Sequence, residues 1–549
     1  MKKVLYVGES HFLNTGYAVY AKEVLSRLHA TGKYDITELG SYGDPRDKRA
    51  FADWRYIGNM PTSHAEAEVF KSDPSNQFGK WRFEDLCLTL KPDIVFSILD
   101  VWMFDYLIKS PLKDYYHLTV MPTVDSSPIN PEWIMTYQGA DAIFSYTDWG
   151  MEELKRCSGD LLNLGGVAIP GTNPEDFKQI LNKNAHKQKM GLISNANYIG
   201  VVMRNQKRKL FDDLFEAFRT LLDSLPEEKS NKTYLYCHTS YPDSGWKFPT
   251  LLKEYGLSSK VVFTYLCEGC RTYSPMYFAD AKAICPKCNQ SSVRMPNVKF
   301  GVDSPTLGAI MNCFDCLVQY SIAESPGMPQ AECASTGTYI FSVDYSGMHD
   351  IIQKLETGAI SVERFYRESE THRYFALPSN KDLVEKLREF ILLPQTVKAR
   401  MGYMARLKAK ENFDWDKTAK VWENHFDSVV PKNNWNSPPS IFNPVNQFPE
   451  RCSNYDFVKY CLTKVLGEPE KIYTYFGMKL LQDLNNEYTS EFMGGPHISD
   501  HSLLGSQERQ KDFKKDQLIQ TLMDLRNKKN EWEMKRCGMT KWEIPHWAK

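Results

Sequence analysis

Short apolar runs rich in β-branched and aromatic residues alternate with segments of helical periodicity along most of the chain. In the first third the runs "KVLYV", "DIVFSIL", "HLTVMPTV" and "DAIFSYT" read as buried strands. Residues 17–29 carry Val24, Leu25 and Leu28 on one helical face, with Gly32 as the stop. A second series follows from Asn197: "YIGVVM", "TYLYCHT", "KVVFTYL", "CLVQYS" and "TYIFSVD". Between them, "GGVAIPGTNPEDFKQILNKNAHKQK" has the Gly, Pro, Asn and Lys content of an interdomain linker. The pattern predicts an α/β protein with two doubly wound, Rossmann-like domains facing across a cleft, where ligands meet the carboxyl ends of the strands.

The length of 549 residues exceeds what one hydrophobic core supports and fits two or three domains. We expect a first domain over residues 1–175 and a second over 190–412. A Pro/Asn/Ser linker, "PKNNWNSPPSIFNPVNQFPE", then leads to a mostly helical module over residues 451–549. The net charge of −1 gives no whole-protein attraction for nucleic acid or acidic lipid, so such a partner needs a local patch. The start, "MKKVLYVGES", reads as a strand and not as a signal peptide, and no window has the apolar length of a membrane span. Thirteen cysteines, an odd number, favour a reducing, cytoplasmic setting.

In "GVVMRNQKRKLFDDLFEAF", Arg204 falls just off a strand and Lys209 at the start of an amphipathic helix. Two cations beside a helix N-terminus suit a diphosphate; the same charges also read as a solvated basic turn. Gly16 in "NTGYAVY" stands at a helix entrance, where a glycine lets backbone approach a phosphate. In "SIAESPGMPQAECASTG", Glu324 lies in a strand-to-helix loop and Glu332 about one turn into the helix that Pro329 helps to start. Both could be solvated charges, or both could face one cleft and accept hydrogen bonds from vicinal hydroxyls.

These segments, together with "PTVDSSPINPEW", "DAIFSYTDWGMEEL", "VAIPGTNPEDF" and "LYCHTSYPDSGWKF", resemble in order the retaining GT-B glycosyltransferases of family 4, the glycosyl transferases group 1. The likeness covers roughly residues 1–430 and implies a helix at about 413–430 that crosses back to the first, acceptor-side domain. It implies that Arg204 and Lys209 bind the donor diphosphate and stabilise its charge as it leaves. Glu332 would then hold the ribose and Glu324 the donor-sugar hydroxyls, with the backbone around Gly327 and Met328 facing that sugar. Gly16 would approach the phosphates, and Asp125 would stand near the reacting sugar and acceptor. No covalent nucleophile and no catalytic metal are expected; retention is attributed in that family to front-face attack assisted by the leaving phosphate. Two departures stand out: Pro326 where an aromatic residue is usual, and Thr123, Val124 and Asp125 where a histidine is common.

Cys267-x2-Cys270 and Cys285-x2-Cys288 form two knuckles around a short loop, the spacing of a zinc ribbon over residues 265–292. Four thiolates leave no open position, so the expected zinc is structural. Cys313, Cys316 and Cys333 read as buried free thiols. Residues 508–549 hold eleven Lys/Arg against seven Asp/Glu, with Trp532, Trp542 and Trp547 interleaved. That mixture fits a nucleic-acid strand or, equally, a solvated helix packed on the body.

The expected function is transfer of a sugar from a nucleotide-diphosphate sugar to a hydroxyl acceptor, a glycan or lipid-linked glycan. Alternatives are a DNA glycosyltransferase acting on hydroxymethylated bases, as in some phages (placing it in the host cytoplasm), a sugar-nucleotide epimerase of the same fold, and a non-enzymatic nucleic-acid- or protein-binding module.

Overall fold

The strand Lys2–Glu9 (β1) is apolar on both faces: Leu5 and Val7 enter one core, Val4 and Tyr6 the other. Such a strand needs cover on both sides and sits at the centre of a sheet. It pairs in parallel with Tyr34–Ser41 (β2), which pairs with Arg55–Gly58 (β3). On its other side β1 pairs with Ile94–Ser97 (β4), followed outward by His117–Val120 (β5), Ala142–Ser145 (β6) and Leu164–Val167 (β7). The order is β3-β2-β1-β4-β5-β6-β7, all parallel. The computed structural model describes residues 1–432 and Trp435, apart from Pro111, 280–282 and 298–299; the expected helical module over 451–549, with its basic and tryptophan-rich end, lies outside the described residues.

The second sheet repeats the plan. Asn197–Val202 (β8) pairs with Thr233–His238 (β9) and, through it, with Val261–Cys267 (β10). The elements Tyr273–Tyr277 (β11) and Val293–Arg294 (β12) both run antiparallel against β10. Across β8 lie Cys316–Gln319 (β13), Tyr339–Val343 (β14) and Gly358–Ile360 (β15), all parallel. Ile199 and Val201 feed one core, Tyr198 and Val202 the other. In each sheet the strand order reverses beside the central strand, between β1 and β4 and between β8 and β13. Loops leaving the carboxyl ends there open a crevice.

Two chain crossings join the halves side by side. Thr172 N–H donates to Phe413 O at 3.0 Å, and a Cβ on Gly171 would lie 2.2 Å from the Trp415 nitrogen, so only glycine allows this approach. The helix Trp415–Ser428 then packs on the first sheet, with Trp422 between Phe96 and Phe144 at ring separations of 4.5 and 4.4 Å. The segment read as a linker is in part regular: its start forms β7 and its end the helix Lys183–Lys189. An antiparallel hairpin, Val362–Arg367 (β16) with Tyr374–Pro378 (β17), reaches from the second half to the first, where Tyr374 bridges to Ser127. Among the described residues no helix is long and apolar enough to cross a membrane.

Candidate functional site

The loop after β8 carries four cations, Arg204, Lys207, Arg208 and Lys209, before the helix Phe211–Ser224. Arg204 forms a two-pronged pair with Asp243, Nε to Oδ2 at 2.7 Å and Nη2 to Oδ1 at 3.0 Å, and remains about half exposed. Asp243 also accepts from Ser240 Oγ and the Ser244 N–H, and these hydrogen bonds, Arg204's first, outweigh its burial and hold its carboxyl at about 2. Arg204 is thereby aimed by a fixed anion before any ligand arrives. Arg208 and Lys209 are pinned through their backbone: Lys209 bridges to Ser321, Ile322 N–H donates to Arg208 O at 3.1 Å, and Trp246 Nε1–H donates to Lys209 O at 2.8 Å.

That pairing brings the loop onto the strand-to-helix turn after β13. Lys209 Nζ contacts Glu324 Oε1, and Arg208 Nη1 lies 3.0 Å from the same oxygen. Gln319 Nε2 and Ser321 Oγ complete the surroundings at 3.3 and 3.1 Å. Lys209 is 5% exposed and Glu324 8%. Burial and the nearby Arg208 pull the Lys209 ammonium down; Asp125 opposes them, as does contact with the Glu324 carboxylate. The two residues that sequence reasoning gave to different parts of a ligand are thus direct partners here.

Several buried polar atoms beside this turn have no partner among the described residues: Gln319 Oε1, Ser325 Oγ, and both Gln330 Nε2 and Oε1. Buried polar groups are normally satisfied, so four such atoms on the end of β13, the loop after it and the start of the next helix mark this turn as the candidate place for a polar ligand. They flank Gly327, which precedes the helix Met328–Ser335; a Cβ there would fall 1.9 Å from Gln330 Nε2. Glu332 lies on that helix, 8% exposed, and no hydrogen-bond or ion-pair partner among the described residues reaches its carboxylate. Burial, reinforced by Asp176 and Glu23, raises it from 4.5 to about 7.

The facing wall comes from the first sheet. Gly16 opens the helix Gly16–Ala30, capped by Thr15, and a Cβ on Gly16 would meet Met328 Sδ at 3.8 Å, an ordinary contact. The two loops therefore meet across the crevice, and Met328 packs on the first half's core. Thr15 Oγ1 donates to Glu9 at the end of β1. Asp100, after β4, accepts from Tyr17 Oη at 3.0 Å, and Tyr17 meets Thr123 Oγ1 at 2.5 Å. Burial raises the carboxyls of both Glu9 and Asp100. Asp125 is bound by Arg373 Nη1 at 2.8 Å, reached across from the β16–β17 hairpin, with the guanidinium 4.7 Å above Trp133. One wall is acidic and the other cationic, and the charges feel each other: Arg204 lowers Glu9, and Arg208 lowers Asp100.

The four cysteine sulfurs, Cys267, Cys270, Cys285 and Cys288, lie within 4.8 Å of one another and could hold a metal ion. The closest pairs are Cys267–Cys288 at 3.5 Å and Cys270–Cys285 at 3.7 Å. A tetrahedral ion with bonds of about 2.3 Å needs sulfurs about 3.8 Å apart, so the cluster fits one. Cys270 N–H and Lys287 N–H point at Cys267 and Cys285 sulfur. The insertion does more than decorate the cleft end of β10, because its β11 and β12 strands pair along β10 itself. Cys313, Cys316 and Cys333 are buried free thiols.

Arg208, Gln319, Ser325, Gln330, Asp243, Asp100 and Arg373 were not singled out from the sequence. Arg208 lies inside the "RNQKRK" run and Gln330 and Ser325 inside the Glu-x7-Glu segment, so proximity to those motifs was the available signal. Asp243 lies inside the "LYCHTSYPDSGWKF" segment and had the same signal, whereas Arg373 acts only through distant pairing and left none.

No protein-family model and no curated protein sequence matches the chain. Its fold is nonetheless shared with many solved structures. It resembles sucrose-phosphate synthase from Thermosynechococcus elongatus (TM-score 0.56, 14% identity, 78% of this chain and 99% of that one). It also resembles a glycosyltransferase from Rickettsia africae (0.52, 12%, 78% and 98%). A third is the trehalose-6-phosphate protein of E. coli bound with UDP-2-fluoro glucose (0.53, 11%, 78% and 100%). At these identities the likeness establishes the fold: two Rossmann-like domains in the GT-B arrangement.

Proposed function

We propose that the chain is a retaining glycosyltransferase moving a sugar from a nucleotide-diphosphate sugar to a hydroxyl acceptor, a glycan or lipid-linked glycan. The observation that carries this reading is the set of unpartnered buried polar atoms of Gln319, Ser325 and Gln330 beside the Glu324–Lys209–Arg208 cluster. Those atoms and Glu324 accept and donate to donor-sugar hydroxyls, and the Gly327–Met328 backbone lies under the ring. Arg204, Arg208 and Lys209 hold the diphosphate and take up the charge that develops as it leaves, the task a catalytic metal has elsewhere. Glu332 accepts from the ribose, Gly16 lets the first loop close on the phosphates, and Asp125 faces the acceptor side. The first domain, residues 1–175 with the helix at about 413–430, receives the acceptor; residues 190–412 bind the donor.

The fold relatives lend support: one is a glycosyltransferase by description, and another carries a UDP-sugar analogue. The four cysteines hold a structural zinc that ties the β10–β11–β12 insertion together. A thermal-shift screen across nucleotide sugars is the test, followed by assay of nucleoside-diphosphate release. Stabilisation by one donor with release of its nucleoside diphosphate supports transfer. Epimerisation without release would replace it with the epimerase alternative, and no stabilisation by any nucleotide sugar would sink it.

A further inference from the structure

Beside the acidic wall stand two aromatic rings that the donor site does not use. Tyr42 follows β2 directly and holds φ at 59°, a left-handed backbone that bulky residues rarely adopt without a functional reason. Trp102 is the second residue of the helix Val101–Lys109, two positions after Asp100. Both rings stand edge-to-face on one buried ring, Phe78, at 6.0 and 5.2 Å. Phe78 is fixed from beneath, its carbonyl accepting from Tyr106 Oη at 2.7 Å. The two outer rings remain in solvent, Tyr42 38% exposed and Trp102 57%. Among the described residues neither the Tyr42 hydroxyl nor the Trp102 indole N–H has a protein partner. The carboxylates of Glu9 and Asp100 are close enough to raise the Tyr42 hydroxyl, after burial, to about 12.

We infer that Tyr42 and Trp102 form a platform that binds the acceptor, and that the acceptor is an uncharged pyranose ring. The inference rests on the glycosyltransferase reading above and names the substrate class of its second site. A pyranose has an apolar C–H face suited to an indole, and equatorial hydroxyls suited to carboxylates, the Tyr42 hydroxyl and the indole N–H at its rim. A nucleic-acid strand also stacks on aromatic rings, but it needs a cationic groove for its phosphates. Of the cations nearest in sequence, Arg46 is paired with Asp44, Arg49 with Asp47, Lys80 with Asp73 and Lys109 with Asp105, which leaves the exposed Lys48 as a single charge without an ion pair among these neighbours. With Glu9 and Asp100 alongside, the surroundings repel a phosphodiester and tolerate a neutral sugar.

The test uses the full chain and saturation-transfer NMR with methyl pyranosides and disaccharides of the gluco, galacto and manno series. UDP, GDP, ADP, dTDP and a short DNA duplex serve as parallel probes. The expected result is saturation transfer to the C–H protons of at least one sugar and quenching of tryptophan fluorescence. Trp102→Ala should weaken that sugar about tenfold or more, and Trp102→Phe should recover most of the affinity. Both variants are surface changes whose melting should stay near wild type. Sugar binding indifferent to Trp102→Ala, no sugar bound at all, or DNA bound through Trp102 in place of sugar would each overturn the platform. Titration with UDP, GDP, ADP and dTDP separates the two readings: no signal from any of them in wild type sinks the donor site, whereas the sugar arm decides the platform alone.

Discussion

Glu332 offers a measurable link between burial and donor binding. Its carboxyl stands at about 7 because the helix Met328–Ser335 carries it into a buried position with no partner among the described residues, next to Asp176 and Glu23. Ribose hydroxyls that donate to the carboxylate favour its ionised form, so the bound state should return toward the ordinary value of about 4.3. Below pH 7 a proton must therefore leave as the donor binds. Apparent Kd then scales as one plus the protonated-to-ionised ratio, so affinity at pH 6 should be about tenfold weaker than at pH 8. A nucleotide sugar is the correct ligand, because its diphosphate is a diester without a terminal ionisation near pH 6. Calorimetry at pH 6.5 in two buffers of different ionisation enthalpy should show roughly three-quarters of a proton released per ligand.

The same displacement has a sign for stability. The folded carboxyl binds its proton more tightly than the unfolded one, so stability falls as pH rises from about 4.5 to 7 and the full penalty stands above 7. The penalty is on the order of 3 kcal/mol. Glu332→Gln should therefore raise the melting temperature at pH 8, leave it unchanged at pH 4, bind the donor more weakly and release no proton. A donor affinity flat from pH 6 to pH 8, with no buffer dependence of the heat, would refute the ribose assignment and the reasoning from burial together.

Lys209→Met leaves Glu324 with Arg208, Gln319 and Ser321, so denaturant unfolding should show a loss near the lower end of about 3–5 kcal/mol. Pairing it with Glu324→Met should return much of that stability, and turnover of the donor should fall about 100-fold or more in either. Asp243→Asn, which releases Arg204, should weaken donor binding with little change in melting, because Arg204 is half exposed and the ion pair adds less than about 1 kcal/mol. Metal analysis of protein purified without chelators should find about one zinc per chain. Cys285→Ser should abolish it and loosen β11 and β12 in hydrogen exchange, while β1 to β7 keep their protection.

Much of the fold was legible because buried parallel strands must be apolar on both faces, and β1, β4, β5, β6, β8, β9, β10, β13 and β14 are. The strands β2 and β3 escaped the pattern, since Asp35, Thr37, Glu38 and Arg55 interrupt it. Glu38 can be fully buried only because His11 and Trp54 donate to it, a pairing between distant segments. The hairpin β16–β17 escaped for the opposite reason: β16 is largely exposed and mixes Arg, Phe and Tyr, and β17 buries just Ala376 and Pro378.

Local pattern thus determined the elements, their parallel α/β type, the metal-ligand spacing of the four cysteines, and which loops and helix starts carry Arg204, Lys209, Gly16, Glu324 and Glu332. These are properties of neighbours along the chain, written as periodicity and spacing. Tertiary structure alone decided what each charge touches. It placed Glu324 on Lys209 and Arg208, gave Arg204 to Asp243 and Asp125 to Arg373, left the side-chain polar atoms of Gln330 and Ser325 without partners among the described residues, and set Tyr42 and Trp102 on Phe78. Contact energies depend on distance and burial between residues far apart in sequence, and those are fixed only when the two sheets close on one crevice.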